Sequence, residues 1–338
     1  MADLSYFTPR VLTGVINLRP VKHDLFASFF KEKAPSPVDV FELQTSLRGA
    51  SILPSVTNWA GGTMRDGETL SVDFVKAPRF RPKRGFRAAD LLKTQKGFTP
   101  YDPAVNPVER AVAEDMDAHR DDIDRMVEIM CAQAAVDGRI DLYDMIEGAV
   151  VKTYTVDFRR PAEHSIVLAG DAAWGSERAD LIGGMETWNA AIQEATSGFA
   201  ATDLILGREA WAAFRKHPDV KDTLDNRRMD IGRLAPRVAG KLKGEWNGLN
   251  VWVYTATYKD IEGTVRHYLP PDCALLLARD AESVIEYAQP VDIRCEGPAK
   301  IFAKQFEDDD PSGVFTIAES RPLPMTRHCG WSVRIKVV

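Results

Sequence analysis

The residues of this 338-residue chain that could do chemistry are six histidines, four cysteines, several adjacent carboxylates and one glycine-lysine step. His23, His119, His164, His217, His267 and His328 could serve as general bases or metal ligands, but they are scattered without paired ligand spacing. Surface or hydrogen-bonded structural roles fit each of them. Cys131, Cys273, Cys295 and Cys329 form no CxxC pair, so neither a zinc ribbon nor a redox motif is present, and free thiols are expected. The stretch GRLAPRVAGKL lacks the glycine that a phosphate loop places ahead of its GK step. It also has Leu242 where a Ser or Thr must reach magnesium. Asp121 and Asp122 fall on the polar side of a long helical pattern, as solvated charges. GxSxG, HExxH, GxGxxG and EF-hand patterns are absent from the sequence. The expectation is a protein with no catalytic residues, no cofactor and no metal.

Charge carries more information than motif. The chain holds 43 basic and 49 acidic residues, a formal charge of −6, which argues against a dedicated DNA-binding protein because counterion release needs concentrated positive charge. Its distribution is uneven. From Lys76 to Lys96 eight basic residues (Lys76, Arg79, Arg81, Lys83, Arg84, Arg87, Lys93 and Lys96) face only Asp90, whereas from Glu109 to Glu147 twelve acidic residues, among them Asp117, Asp121 and Asp124, face four arginines. Two solvated faces would explain this. The sharper expectation is that the basic segment docks on the acidic one, within the chain or on a neighbour, so that assembly is sensitive to salt.

The elements that must position these groups follow from periodicity. An apolar content of 45% supports real cores, and the length fits two ordinary domains. No apolar run approaches the ~20 residues needed to span a bilayer. Residues 1–48, interrupted by Pro20, Pro35 and Pro37, read as an N-terminal arm. Within it Leu25, Phe26, Phe29 and Phe30 make an apolar patch that a neighbouring domain or subunit must cover. Residues 49–98 read as a long β-hairpin, with period-2 alternation at Leu70, Val72 and Phe74. The clearest helix is 107–137. Asn106 is its cap, Pro107 occupies the first turn, an apolar stripe runs from Val108 to Ala134, and Gly138 is the stop. Its ~30 residues would span roughly 45 Å. Ala149–Phe158, Thr202–Leu206, Leu249–Thr255 and Cys273–Ala278 read as strands, and Met185–Ala195 and Ala210–Lys216 as helices. The EDDD run before Pro311 reads as a surface loop. Trp331 to Val337 alternates as a half-buried strand whose expected partner is Val314–Ala318.

Four segments resemble one family in order along the chain. RPVKHDLFASFF (Arg19–Phe30) resembles its opening motif, and the long segment Ser51–Gly85, ending in VKAPRF and its basic tail, resembles its extended loop. DLILGREAWAAFRKHPDVKDTLDNRR (Asp203–Arg228) is similar to its strand, helix and polar exit loop, and GVFTIAESRPLPMTRHCGWSVRIKVV (Gly313–Val338) to its closing strands. By these segments the chain resembles the lambda-like major capsid (head) proteins of tailed phages. The resemblance implies a mixed α/β (α+β) subunit of the Hong Kong 97 type (HK97 fold). Its peripheral domain would be 99–180 with 311–338, including the spine helix, its axial domain 181–310, and its extended loop and arm as above.

It also implies self-assembly into pentamers and hexamers of an icosahedral head that encloses double-stranded DNA without sequence-specific binding. A mildly acidic wall is compatible with that. The expected setting is the virion, assembled in the host cytoplasm, with no membrane partner. A separate scaffolding protein and a portal are expected partners, and a decoration protein is an open one. Candidate assembly contacts are Arg79, Arg81, Lys83, Arg84, Arg87, Asp117, Asp121, Asp124, Phe26, Phe29 and the exit loop Asp225, Asn226, Arg227 and Arg228. No Lys, Asn and Glu trio can be matched to covalent cross-linking. The alternatives are an encapsulin-like nanocompartment shell and a soluble α/β enzyme with no recognisable motif.

Overall fold

The computed structural model describes residues 8–19, 25–46, 70–87, 107–146, 149–225, 232–234, 241–309 and 312–338. The chain divides into two compact units. One comprises Met1–Phe41, Phe74–Ile129 and Val284–Pro324, and the other Glu42–Asp73, Met130–Ser283 and Met325–Val338. Both are mixtures of helix and sheet, as expected.

In the first unit, the three-stranded antiparallel sheet Ile301–Asp309, Ser312–Ser320 and Lys83–Arg87 is joined by two helices. A ten-residue N-terminal helix, Pro9–Leu18, starts where the Thr8 hydroxyl accepts from the Val11 N–H at 3.4 Å and Pro9 occupies the first turn. So short a helix is marginal alone, and packing holds it. Its Leu12 and Ile16 join Val112, Met116 and Ile123 of the spine helix and Ile301, Ala303, Val314 and Ala318 of the sheet in one buried cluster. The segment read as an arm contains, before Pro20, a docked helix that the sequence reading did not name. The expected Phe patch is covered too, since Phe26 and Phe29 are buried by this chain itself. Glu128 fixes them there. Its carboxylate accepts the backbone N–H groups of Phe26 at 2.9 Å and Ala27 at 2.7 Å.

The spine helix runs from Pro107 to Val136. Val112, Met116, Ile123, Val127, Met130 and Ala134 are all buried, so the stripe read from the sequence is the packed face. Gly138, at φ +68°, ends it, because the left-handed backbone there suits glycine and a Cβ would meet Arg160 at 2.7 Å. The last carbonyls are satisfied by Arg160, whose guanidinium donates to Val136 O at 2.7 Å, and by the Ser332 hydroxyl, which donates to Ala135 O at 2.8 Å.

The second unit is built on a seven-stranded mixed sheet. Its order is Ser165–Val167, Ser332–Lys336, Cys273–Leu277, Asp203–Leu206, Leu249–Val253, Leu242–Trp246 and Gly232–Leu234. Asp203–Leu206 lies in the middle, antiparallel to Cys273–Leu277 and parallel to Leu249–Val253, and all four of its residues are buried. A buried carboxylate needs partners. Asp203 has them: it accepts from the Trp252 indole at 2.7 Å and the Thr202 hydroxyl at 2.7 Å, and pairs with Arg279 at 3.3 Å. Helix Arg208–Phe214 follows, and Phe214 sits edge-on to Trp246 at 5.2 Å between ring centroids.

Several connections differ from expectation. The C-terminal strand pairs with Cys273–Leu277 and Ser165–Val167, not with Val314–Ala318, because the latter is already paired on both edges. Glu307–Asp309 is strand rather than loop, in antiparallel register with Ser312–Val314. Pro218 both follows one helix and opens another, Pro218–Asp225, since proline at the first helical position loses no hydrogen bond. Leu70–Lys76 pairs with Val40–Ser46, a strand that lies before the expected start of the hairpin at residue 49. The rest of the expected loop, 47–69 and 88–98, lies outside the described residues.

Gly207 separates the central strand from the helix after it for a steric reason: a Cβ there would lie 2.4 Å from Pro270 O and 2.6 Å from Pro271 O, both backbone atoms. Gly207→Ala should therefore cost roughly 1–3 kcal/mol, as overpacking against rigid neighbours does. Urea unfolding measures it, and a stability equal to wild type would contradict the packing described.

Candidate assembly surfaces

The basic segment that the sequence singles out does not present a row of unattached charges. Its centre is Glu319, fully buried at the end of strand Ser312–Ser320. Glu319 Oε2 accepts Arg79 Nη2 at 2.7 Å and Arg81 Nη1 at 3.0 Å, while Oε1 accepts the Val291 N–H at 2.7 Å. Arg79 Nη2 also donates to Val291 O at 3.0 Å. The Glu319 hydrogen bond is the main reason the Arg79 guanidinium holds its proton even more tightly than usual. Asp292 makes the second centre. Burial works to raise its carboxyl, but Lys304, the Arg294 N–H and Arg81 together outweigh that and leave it below the ordinary range. Three basic side chains and one loop are thus tied to buried carboxylates in one unit.

The other candidates divide by depth. Lys83 lies over the stacked rings of Phe315 and Phe306, at 4.6 and 5.1 Å from their centroids. Arg84 reaches the spine helix, pairing with Asp122 at 3.0 Å, and Arg125 pairs with the same carboxylate at 3.2 Å. Both are part-exposed surface pairs. Arg87 is exposed on the sheet's edge strand, in register with Gly313. Asp117 is exposed and pairs with Arg19, Asp124 pairs with Arg120 at 2.9 Å, and Asp121 is half-buried on the same helix. Basic segment and acidic helix therefore touch within the chain through Arg84, although the stronger acceptors are Glu319 and Asp292. Phe26 and Phe29 are internal and are corrected from assembly contacts to core residues. Asp225 ends helix Pro218–Asp225, and Asn226, Arg227 and Arg228 lie outside the described residues.

Sequence reasoning missed Glu319, Asp292 and Arg321. Arg321 is a buried cation that pairs with Asp39 and donates to Ala77 O at 3.2 Å and Gln289 O at 3.1 Å, and it lowers the Asp39 carboxyl below its usual range. One signal was available: a lone glutamate closing the apolar run from Val314 is the kind of acid that a basic segment must find.

His119 is buried on the spine helix. Its Nε2 lies 3.0 Å from the Thr316 hydroxyl, which itself donates to Asp115 at 2.9 Å. Burial and the nearby Arg84 lower its proton affinity against the opposing pull of Asp115 and Asp122. His164, buried 3.1 Å from Ser332 O, and His328 shift the same way, burial again being the largest cause. Among the described residues no group of three or more His, Cys, Asp or Glu could hold a metal, and no helix is long and apolar enough to cross a membrane.

A long spine helix against a three-stranded sheet in one unit, with a mixed sheet flanked by helices in the other, is an α+β architecture of the HK97 fold. The chain belongs to the family Phage major capsid protein E, which it matches over residues 8–337. It is 28% identical over 187 residues to the major capsid protein of Escherichia phage N15, covering 52% of this chain and 54% of the relative. To that of Escherichia phage lambda it is 25% identical over 211 residues, 60% of each. These matches span little more than half the length of the curated relatives. Among solved structures, the putative capsid protein of an E. coli CFT073 prophage aligns with TM-score 0.70 at 18% identity, covering 98% of this chain and 99% of that one. A phage-related protein from Bordetella bronchiseptica RB50 aligns at 0.53 and 14% identity, covering 98% and 97%. At such identities the likeness is one of fold.

Two outcomes follow from the charged network. Glu319→Gln should destabilise the chain by roughly 2–3 kcal/mol in denaturant unfolding, because two arginines and an N–H lose a charged acceptor. Arg84→Ala, which breaks a surface pair, should cost under ~1 kcal/mol, and equal effects would contradict the depth difference. The histidines give a pH dependence of definite sign. Their folded affinities lie below the unfolded value of about 6.5, so stability is complete above that pH and declines as pH falls beneath it. His119→Gln should shrink the loss between neutral and acidic pH without abolishing it, since His164 and His328 remain, whereas an unchanged slope would contradict the burial of His119.

Proposed function

We propose that this chain is a structural subunit that self-assembles into the pentamers and hexamers of an icosahedral phage head around double-stranded DNA. The observation that carries this reading is membership, over nearly the whole chain, in a family of major capsid proteins, on a fold that covers the prophage capsid protein end to end. The role is architectural. Polar and charged side chains that could be read as chemistry are engaged in holding loops, caps and strands: Glu128 a turn, Glu319 a loop, Asp203 the central strand.

On this reading the unit holding most of the spine helix is the peripheral part and the unit holding the seven-stranded sheet is the axial part. The hairpin that starts at Val40 is the loop that reaches a neighbour. Arg84, Arg87, Asp117 and Asp121 are candidates for contacts between copies, and Asp225–Arg228 for contacts near a capsomer axis. A scaffolding protein and a portal would act with it, and a decoration protein could bind the finished shell. The mildly acidic chain would enclose DNA without gripping it.

Negative-stain microscopy of the expressed chain, with and without the products of its neighbouring genes, tests the proposal. Closed shells are expected, and shells filled with an enzyme cargo rather than DNA would move the reading to a nanocompartment. A chain that stays monomeric at micromolar concentration and turns over a small molecule would overturn it.

A further inference from the structure

One buried cation in the first unit holds three separate parts of the chain. Arg321, 3% exposed, follows directly on the strand Ser312–Ser320. Its Nη1 donates to Gln289 O at 3.1 Å and its Nη2 to Ala77 O at 3.2 Å, and Nη2 also pairs with the Asp39 carboxylate. Asp39 is the last residue before strand Val40–Ser46, and Ala77 is the first after strand Leu70–Lys76, the two strands that pair as the hairpin. The two limbs meet there. The Ala77 N–H donates to Asp39 O at 3.3 Å, and the Lys76 ammonium lies 3.7 Å from the Asp39 carboxylate. Arg321 therefore grips both limbs at the root of the hairpin and fastens them to the segment at Gln289.

Stability alone does not account for this arginine. Burying a guanidinium is costly, and its carboxylate partner Asp39 is about half exposed, so an apolar side chain of similar volume would commonly serve the core as well. An apolar side chain could not aim a rigid fork of donors at three points at once. The two residues before Arg321 hold only the limb after the hairpin. Ser320 and Phe80 exchange backbone hydrogen bonds at 3.0 Å, and Glu319 holds Arg79 and Arg81. Among the described contacts of these three residues, only those of Arg321 reach Asp39 as well. A two-stranded hairpin is marginal by itself, so what closes its root decides how much ordering is left to be done on binding.

We propose that Arg321 is a positioning residue for assembly: it closes the root of the hairpin of residues 40–76, so that the two strands are paired at their base before a neighbouring copy is met. The inference rests on the reading of that hairpin as the loop that reaches a neighbour, and it names what holds the loop at its base. Ordering a loop at the moment of contact costs affinity. A clamp already formed in the free chain removes that cost.

Two substitutions separate this role from a merely structural one. Arg321→Lys keeps the charge but loses the fork, and Asp39→Ala frees the entry limb at a side chain that water already reaches. Both chains should still unfold cooperatively, with the amide of Ile123 in the spine helix exchanging as in wild type. The Ala77 amide should exchange about tenfold faster, and the concentration at which particles form, read by light scattering, should rise about tenfold, the size expected for one lost charged hydrogen bond. Should Arg321→Lys not fold, Asp39→Ala carries the same test. Closing the root by other means should reverse the effect: in the Arg321→Lys chain, Asp39→Cys with Ala77→Cys should, once oxidised, restore assembly at the wild-type concentration, and reduction should abolish the rescue. The proposal is overturned by an Ala77 amide that exchanges at the wild-type rate in these variants, by variants that assemble at the wild-type concentration, or by an oxidised chain that assembles no better than the reduced one. Wild-type chain that forms no particles, alone or with its neighbouring gene products, would instead overturn the assembly reading on which it rests.

Discussion

The first unit depends on burying one side of a thirty-residue helix. A helix of this length has little stability of its own beyond what its apolar stripe gains from packing, and that stripe is continuous from Val112 to Ala134. The N-terminal helix and the three-stranded sheet meet on it through Leu12, Ile16, Ile301, Val314 and Ala318. Segments almost three hundred residues apart in sequence thereby become neighbours, as the Thr13 to Ala303 bonds show. At the far end of the helix Arg160 and Ser332 close the last carbonyls, so the same helix contributes to the second unit through its own residues 130–136.

Around this packing the charges act as fasteners. Glu319 collects Arg79, Arg81 and the Val291 N–H, Asp292 collects Lys304 and Arg81, and Arg321 ties Asp39 to the Ala77 carbonyl. Removing one partner of such a buried set is costly, whereas an exposed pair such as Arg84 with Asp122 contributes little. Any salt sensitivity of assembly, expected from the raw charge distribution, would therefore come from the exposed members, because buried pairs are screened much less.

The spine helix and the alternating C-terminal strand were legible because each repeats one period over several residues, and the central strand Asp203–Leu206 because a short apolar run stops at Gly207. Partners were less so. Nothing in the local pattern of Trp331–Val337 says that it joins Cys273–Leu277 rather than Val314–Ala318, because any free edge would satisfy it. The helix that Pro218 opens was not read, since only Ala210–Lys216 was expected there, and the helix Pro9–Leu18 was hidden because its stability comes from the cluster it enters. For the candidate contacts, sequence located the basic segment but not its acceptors: Glu319 lies 238 residues from Arg81, and only the fold joins them. Phe26 and Phe29, expected to be covered by a neighbouring domain or subunit, are buried within the chain, and only the fold shows it.

The central claim is that the charged network is completed within each subunit and that the folded subunit then builds a shell. A cryo-electron microscopy reconstruction of particles assembled from this chain tests both parts at once. The prediction is a closed icosahedral shell of pentamers and hexamers in which Arg79 and Arg81 remain on Glu319 of their own subunit. Particles in which these arginines leave Glu319 to pair with a neighbour's carboxylates, or a chain that forms no closed shell at all, would contradict it.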